Sequence, residues 1–194
     1  TSFLLSNLAL GTIITASSYH WFLAWIGLEL NTMSIIPILA KHHHPRATEA
    51  ATKYFIIQAT ASSLILFSSI TNAWYTGTWN ITQLTNYPST IALTIALTMK
   101  LGLAPMHFWL PEVMQGTTLL SALIITTWQK LPPMSLLLIT TNHLPPLILL
   151  TVAIISILGG GWSGLNQTQM RKIMAFSSIA HLGWMVAILT MSQK

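Results

Sequence analysis

The 194-residue chain carries eight Lys and Arg and three Asp and Glu, and three of these charges stand in the middle of long apolar stretches. They are Glu29, Lys100 and Lys130. At about 1.5 Å of rise per residue, Glu29 lies about 12 Å in from position 21, Lys100 about 15 Å from position 90 and Lys130 about 20 Å from position 117. A charge at that depth in a bilayer costs about 2.5 to 3.5 kcal/mol, so three of them ask for a purpose. A dry site disfavours the charged form of an amine, which makes a lysine there a reversible proton carrier. A carboxylate about 7 Å away, at an effective dielectric near 20, would attract such an ammonium by about 2.4 kcal/mol. Moving one charge against 100 mV costs about 2.3 kcal/mol. Separating such a pair could therefore release a proton on the scale that membrane transport needs. The alternative is a static ion pair between Glu29 and one lysine that fixes helix register, which leaves one charge over. His107 is a fourth candidate, because imidazole titrates near neutrality and could pass protons in from the inside face. Equally, it could bond a backbone carbonyl freed by Pro105.

The elements that must hold these residues follow from composition. Hydrophobic residues make up 53% of the chain and charged residues 6%, with mean hydropathy +0.64. A soluble domain would be about a quarter charged. The solvent is therefore lipid, where a barrel would show alternating ten-residue segments and a helix needs roughly 20 apolar residues. The expected class is all-α, a polytopic transmembrane bundle with about seven spans, drawn over 3–18, 21–40, 54–75, 90–110, 117–141, 144–162 and 173–191. The first is short and the chain opens on Thr1, which predicts that part of that helix precedes it. Gly102 and Pro105 follow Lys100, and Pro132 and Pro133 follow Lys130, so both lysines stand beside helix breakers. Broken helices at membrane depth are tolerated where they line an enclosed cavity. A discontinuous helix is expected around Gly102 to Pro105, and either a break or an ordinary proline kink after Lys130. Gly160 and Gly164 allow close helix approach, although 161–164 reads more simply as the end of the sixth span.

Basic residues set the orientation. Lys41, Arg46, Lys53, Arg171 and Lys172 fall in the linkers after the second, fourth and sixth spans, against Lys194 alone in the odd ones, so the N-terminus and the even linkers should face inside. The net charge of +5 is thus a matter of topology, with no basic stripe for nucleic acid. No cysteine is present for a disulfide, a thiolate metal site or an iron–sulfur cluster, and no glycine fingerprint for NADH or flavin. The apolar N-terminus lacks the basic region and cleavage pattern of a signal peptide. His42, His43 and His44 could hold a metal, but a solvated loop explains them better. His181 could bond across helices or join a polar axis. Glu112, after Pro111, suits the first turn of a helix. The eight tryptophans fall largely near span ends, as interfacial anchors do.

Four segments carry a family likeness: Trp25-Ile26-Gly27-Leu28-Glu29, the run Lys100-Leu101-Gly102-Leu103-Ala104-Pro105-Met106-His107-Phe108-Trp109-Leu110-Pro111-Glu112, then Thr127-Trp128-Gln129-Lys130, and Gly164-Leu165-Asn166-Gln167-Thr168-Gln169. Over essentially its whole length the chain resembles the subunit 2 family of vertebrate mitochondrial NADH dehydrogenase, antiporter-like membrane subunits of respiratory complex I. That resemblance implies two inverted five-helix repeats, each with a discontinuous helix. Residues 1–141 would form the first antiporter-like unit, and 142–194 the first two helices of a second. It implies that Glu29 modulates charge, that Lys100 is the central protonatable lysine of the first repeat, and that Lys130 relays protons onward. By the same likeness this is a membrane-arm subunit contributing to proton translocation coupled to NADH:ubiquinone electron transfer in other subunits. NADH, FMN, iron–sulfur clusters and ubiquinone would lie in partner subunits, none of them bound here, so enzyme status as a proton-translocating NADH:ubiquinone reductase belongs to the assembly. The chain would be an obligate hetero-oligomer with other complex I membrane-arm subunits and lipids in the mitochondrial inner membrane, its inside face toward the matrix. Family members are considerably longer, and the distal lysine and outlet region of the second repeat have no counterpart in these residues. The competing functions are a free-standing cation/proton antiporter subunit and a purely architectural membrane subunit.

Overall fold

A computed structural model describes residues 2–41 and 44–192. Among these the regular structure is helical, with nine α-helices, two 3-10 turns and a single isolated bridge between His20 and Asn80. In chain order the helices are α1 (Ser2–Ser17), α2 (Trp21–Leu39), α3 (Pro45–Thr76), α4 (Tyr87–Leu101), α5 (Trp109–Gly116), α6 (Leu119–Thr126), α7 (Leu131–Thr140), α8 (Pro146–Leu165) and α9 (Met170–Met191). The 3-10 turns, Trp128–Lys130 and Thr141–His143, follow α6 and α7.

The polytopic all-α class holds, but not seven full spans. Five helical stretches are long and apolar enough to cross a membrane: Trp21–Leu39, Pro45–Thr76, Leu119–His143, Pro146–Leu165 and Met170–Met191. The other two fall short. Helix α1 has 16 residues and α4 has 15, which is about 22 to 24 Å against the roughly 30 Å of hydrocarbon.

Helix α4 is short because of Gly102. Its φ of +76° is left-handed, a conformation that glycine adopts without the Cβ clash other residues meet. The Gly102 and Leu103 amides turn back to the Thr98 carbonyl, both at 3.0 Å, closing the last turn as helix C-caps do. Residues 102–108 carry no helix, the Ala104–Pro105 peptide is cis, and helix resumes at Trp109. The expected discontinuity is present, so the continuous span drawn over 90–110 is in fact α4, a non-helical link and the start of α5.

Two other expectations change, and one alternative is settled. Within the single apolar stretch Leu119–His143 the break, and not the simple kink, is found: α6 ends, a 3-10 turn runs through Trp128–Lys130, and α7 begins at Leu131 with Pro in its first turn. There the missing proline donors cost nothing. Helix α3 starts at Pro45, so Arg46 and Lys53 belong to a 32-residue helix that rises beyond the apolar stretch and not to a loop. Helix α8 does not end at its glycines. It continues to Leu165, because Gly160 faces α9: a Cβ there would stand 3.0 Å from the Ala180 nitrogen and the Phe176 carbonyl oxygen, so the absent side chain is what lets the two backbones meet.

Packing divides the interior into two apolar layers. One joins Trp21, Leu28, Ile65, Leu97, Leu136 and Leu182; the other joins Ile35, Tyr54, Trp109, Leu110, Ile125 and Ile179. On α2, Glu29 lies between Leu28 of the first layer and Ile35 of the second. Gln58 on α3 lies between Tyr54 and Ile65, and Lys130 lies between Ile125 and Leu136. Outward, large apolar side chains such as Phe67, Leu120, Ile155 and Ile188 are more than half exposed, a surface suited to lipid.

Candidate proton-transfer site

The seam between those two layers is polar. Lys100, the penultimate residue of α4, is 6% exposed. It sits at the carbonyl end of a helix, where the dipole favours a cation. Its own carbonyl accepts a hydrogen bond of 3.4 Å from Gln58 Nε2. Lys130 closes the 3-10 turn after α6 and donates from Nζ to the Ser178 carbonyl of α9 at 3.4 Å. Both lysines line one small cavity, with Tyr54, Gln58, Trp109, Leu110 and Gln129 among its walls. It has room for about one water molecule.

Glu29 is half-buried on α2, and its Oε2 is buried without a protein hydrogen-bond partner. No ion pair within 4.0 Å joins it to either lysine. The static pair is therefore not the arrangement found. Two long hydrogen bonds tie the cavity wall together and to α2: Tyr54 Oη donates to Gln129 Oε1 at 3.4 Å, and Gln129 Nε2 donates to the Asn31 carbonyl at 3.4 Å. Asn31 is buried with both side-chain amide atoms unpartnered. Its amide lies against Gly11 of α1, where a Cβ would stand 2.7 Å from Asn31 Oδ1.

His107 stands within the non-helical link but lines neither the lysine cavity nor the large cleft described below. Its half-buried ring packs on Phe108 and Phe176 at 4.3 and 6.5 Å, and Nδ1 is buried without a partner. His181 is exposed on α9 and takes no part in the polar seam. His42 and His43 lie outside the described residues, and His44 immediately precedes α3. Glu112 does occupy the first turn of α5, and it also pairs with Lys53. Tryptophans divide into two kinds: Trp74 and Trp162 are exposed, whereas Trp21 and Trp109 are buried, the latter as a cavity wall and not an anchor.

Tyr54, Gln58, Asn31 and Gln129 escape a reading based on charge. A signal existed: Tyr54 and Gln58 are one helical turn apart in an apolar stretch, and Gln129 adjoins Lys130.

The basic residues also gather. Arg46, Lys53, Arg171 and Lys172, from α3 and α9, line one cleft of about 990 Å³ with Glu49, Glu112 and Gln115. This places the ends of α3 and α9 on the same side of the bundle, as charge parity required. There Arg171 Nη1 donates to the Thr117 carbonyl at 2.7 Å, fixing the corner after α5.

The sequence and the fold have counterparts among known proteins. A family model described as NADH:quinone oxidoreductase/Mrp antiporter, TM, matches residues 18–194. NADH-ubiquinone oxidoreductase chain 2 of Varanus melinus is 61% identical over 97% of the chain and 55% of its own length, so the chain spans about half the length of such curated relatives. Among solved structures, a chain of respiratory complex I from Thermus thermophilus with bound aureothin superposes at a TM-score of 0.89, with 30% identity, over 96% of this chain and 44% of that one. A chain of the Mrp complex from Dietzia sp. DQ12-45-1b gives 0.88 at 16% identity, over 96% of this chain and 38% of that one, a likeness of fold alone. With the match extending over nearly all of the sequence, the chain belongs to the NADH:quinone oxidoreductase/Mrp antiporter transmembrane family.

Proposed function

We propose that the chain contributes to proton translocation as part of a membrane-arm subunit of a respiratory NADH:ubiquinone oxidoreductase in the mitochondrial inner membrane. The observation that carries this is the shared cavity of Lys100 and Lys130, held at the seam of two apolar layers. A proton taken up by one amine can pass to the other through a single water. Approach or withdrawal of the Glu29 carboxylate changes the energy of that proton, at about 2.4 kcal/mol for a separation of about 7 Å. Gln129 and Tyr54 set the distance between the two sides, because they tie α2 and α3 to the turn that carries Lys130. The energy would arrive from partner subunits holding NADH, FMN, iron–sulfur clusters and ubiquinone. Residues 1–141 form one antiporter-like unit in this reading and 142–194 open a second, with the N-terminus, the end of α3 near Arg46 and the start of α9 on the matrix side.

The matched family model, whose description names Mrp antiporters beside NADH:quinone oxidoreductases, makes a cation/proton antiporter the second reading. Purification of the tagged full-length protein from mitochondria separates the two. The proposal expects it to bring down iron–sulfur subunits and rotenone-sensitive NADH:ubiquinone activity, with proton uptake into proteoliposomes reduced by Lys130→Met at unchanged assembly. Isolation without redox subunits would favour the antiporter, and unchanged proton uptake in the variant would favour a purely architectural role.

A further inference from the structure

One turn of helix separates the large cleft from the lysine cavity. Phe108, Pro111 and Glu112 line the cleft, whereas Trp109 and Leu110 line the cavity on the other side. This wall is the first turn of α5, which follows the non-helical link 102–108 and so is not held by continuity with α4. Helix α5 packs on α3 through an apolar cluster that includes Ala50, Ala51, Leu110 and Val113, and two further contacts flank its first turn. On the inner side Trp109 meets Tyr54 edge-on, with ring centroids 5.8 Å apart. On the cleft side Lys53 Nζ reaches Glu112 Oε2 at 2.8 Å and, within its own helix, Glu49 Oε1 at 2.7 Å.

We infer that Lys53 is a positioning residue for proton access: through Glu112 it holds the first turn of α5 closed between the cleft and the lysine cavity. The inference rests on reading that cavity as the proton-transfer site, and gives the cleft a role as its aqueous approach. The clasp is built to open. All three side chains are about half exposed, at 41%, 62% and 54% for Lys53, Glu49 and Glu112, so water and salt weaken the pairs. When Glu112 lets go, Lys53 keeps Glu49 as a partner and water takes up the half-exposed Glu112 carboxylate. Of the contacts between α3 and the first turn of α5, the clasp is the one that responds to ionic strength; the apolar packing, Tyr54 on Trp109 included, does not.

The test uses the full-length protein in its intact assembly. Leu110, fully buried on the cavity side of the wall, is replaced by cysteine in a stretch that has none of its own. Its reaction with a small water-soluble maleimide is then followed by mass spectrometry of the peptide that carries it. Lys53→Met and Glu112→Gln should each speed labelling several-fold, Lys53→Arg should leave it near the parental rate, and raising salt should speed labelling in the parent but not in Lys53→Met. Deuterium exchange over 108–116 gives the same comparison with Leu110 intact. Labelling and exchange unchanged by Lys53→Met, or a salt response that persists in that variant, would overturn the assignment. Neither readout depends on pumping, so a failure of the functional reading would show separately, as normal proton transport without Lys100.

Discussion

Gly102→Ala should be more harmful than its chemistry suggests, and Gly77→Ala provides the measure. Both glycines have positive φ, +76° and +70°, and an L-residue in that region costs about 1 to 2 kcal/mol. They differ in what a Cβ would meet. At Gly77 nothing lies within 4 Å, whereas at Gly102 the new methyl would stand 3.2 Å from Trp109 Cζ2 and 3.5 Å from Cε2. Trp109 is 5% exposed and packed against Tyr54, so the ring has little room to retreat. Overpacking of this kind adds about 1 kcal/mol at its lower end. The expected losses are thus about 1 to 2 kcal/mol for Gly77→Ala and about 2 to 3 kcal/mol for Gly102→Ala. Equilibrium unfolding of the purified protein in mixed micelles, followed by tryptophan fluorescence, measures both. Replacing Trp109 with Phe in the Gly102→Ala background should remove the excess and leave the backbone loss. If the two alanine variants lose the same stability, Gly102 and Trp109 are not coupled, and the helix break does not set the position of the cavity wall.

Tyr54→Phe removes the donor to Gln129 and should lower stability by about 0.5 to 1.5 kcal/mol, while protons moved per electron in proteoliposomes fall with assembly intact. Gly160→Leu should force α8 from α9 against the contacts of 3.0 Å that a Cβ would make, with a loss of about 1 to 3 kcal/mol in the same micelle unfolding assay. Arg171→Gln should free the Thr117 carbonyl from its 2.7 Å partner, read as faster deuterium exchange over 115–119 and little change elsewhere.

The sequence made some of this visible for a simple reason: a charge in an apolar stretch stands out, and depth follows from counting residues. Glu29, Lys100 and Lys130 could be placed at one level, and Gly102 with Pro105 announced the broken helix. Neutral polar residues do not stand out in this way. Gln58 and Gln129 matter because α3 and the turn after α6 face the same cavity, and facing is a tertiary property. The glycines of α8 misled because a glycine that ends a helix and one that admits a neighbouring helix are the same letter; Phe176 and Ala180 on α9 decide between them. Trp109 misled similarly, since a position near a span end looks like an interface until α5 folds back onto Tyr54. Lys53 and Glu112 lie 59 positions apart in the chain, and nothing local in either neighbourhood points to the other.

The decisive measurement is the number of protons moved per NADH oxidised by the intact assembly in sealed liposomes, compared between the parent and Lys100→Met. Methionine keeps much of the lysine stem and cannot carry a proton, so the bundle should still assemble and electron transfer should persist. If buried amine chemistry drives transport, the proton yield per NADH drops in the variant. An unchanged yield, with normal assembly and turnover, would mean that Lys100 is part of the scaffold and that protons travel elsewhere.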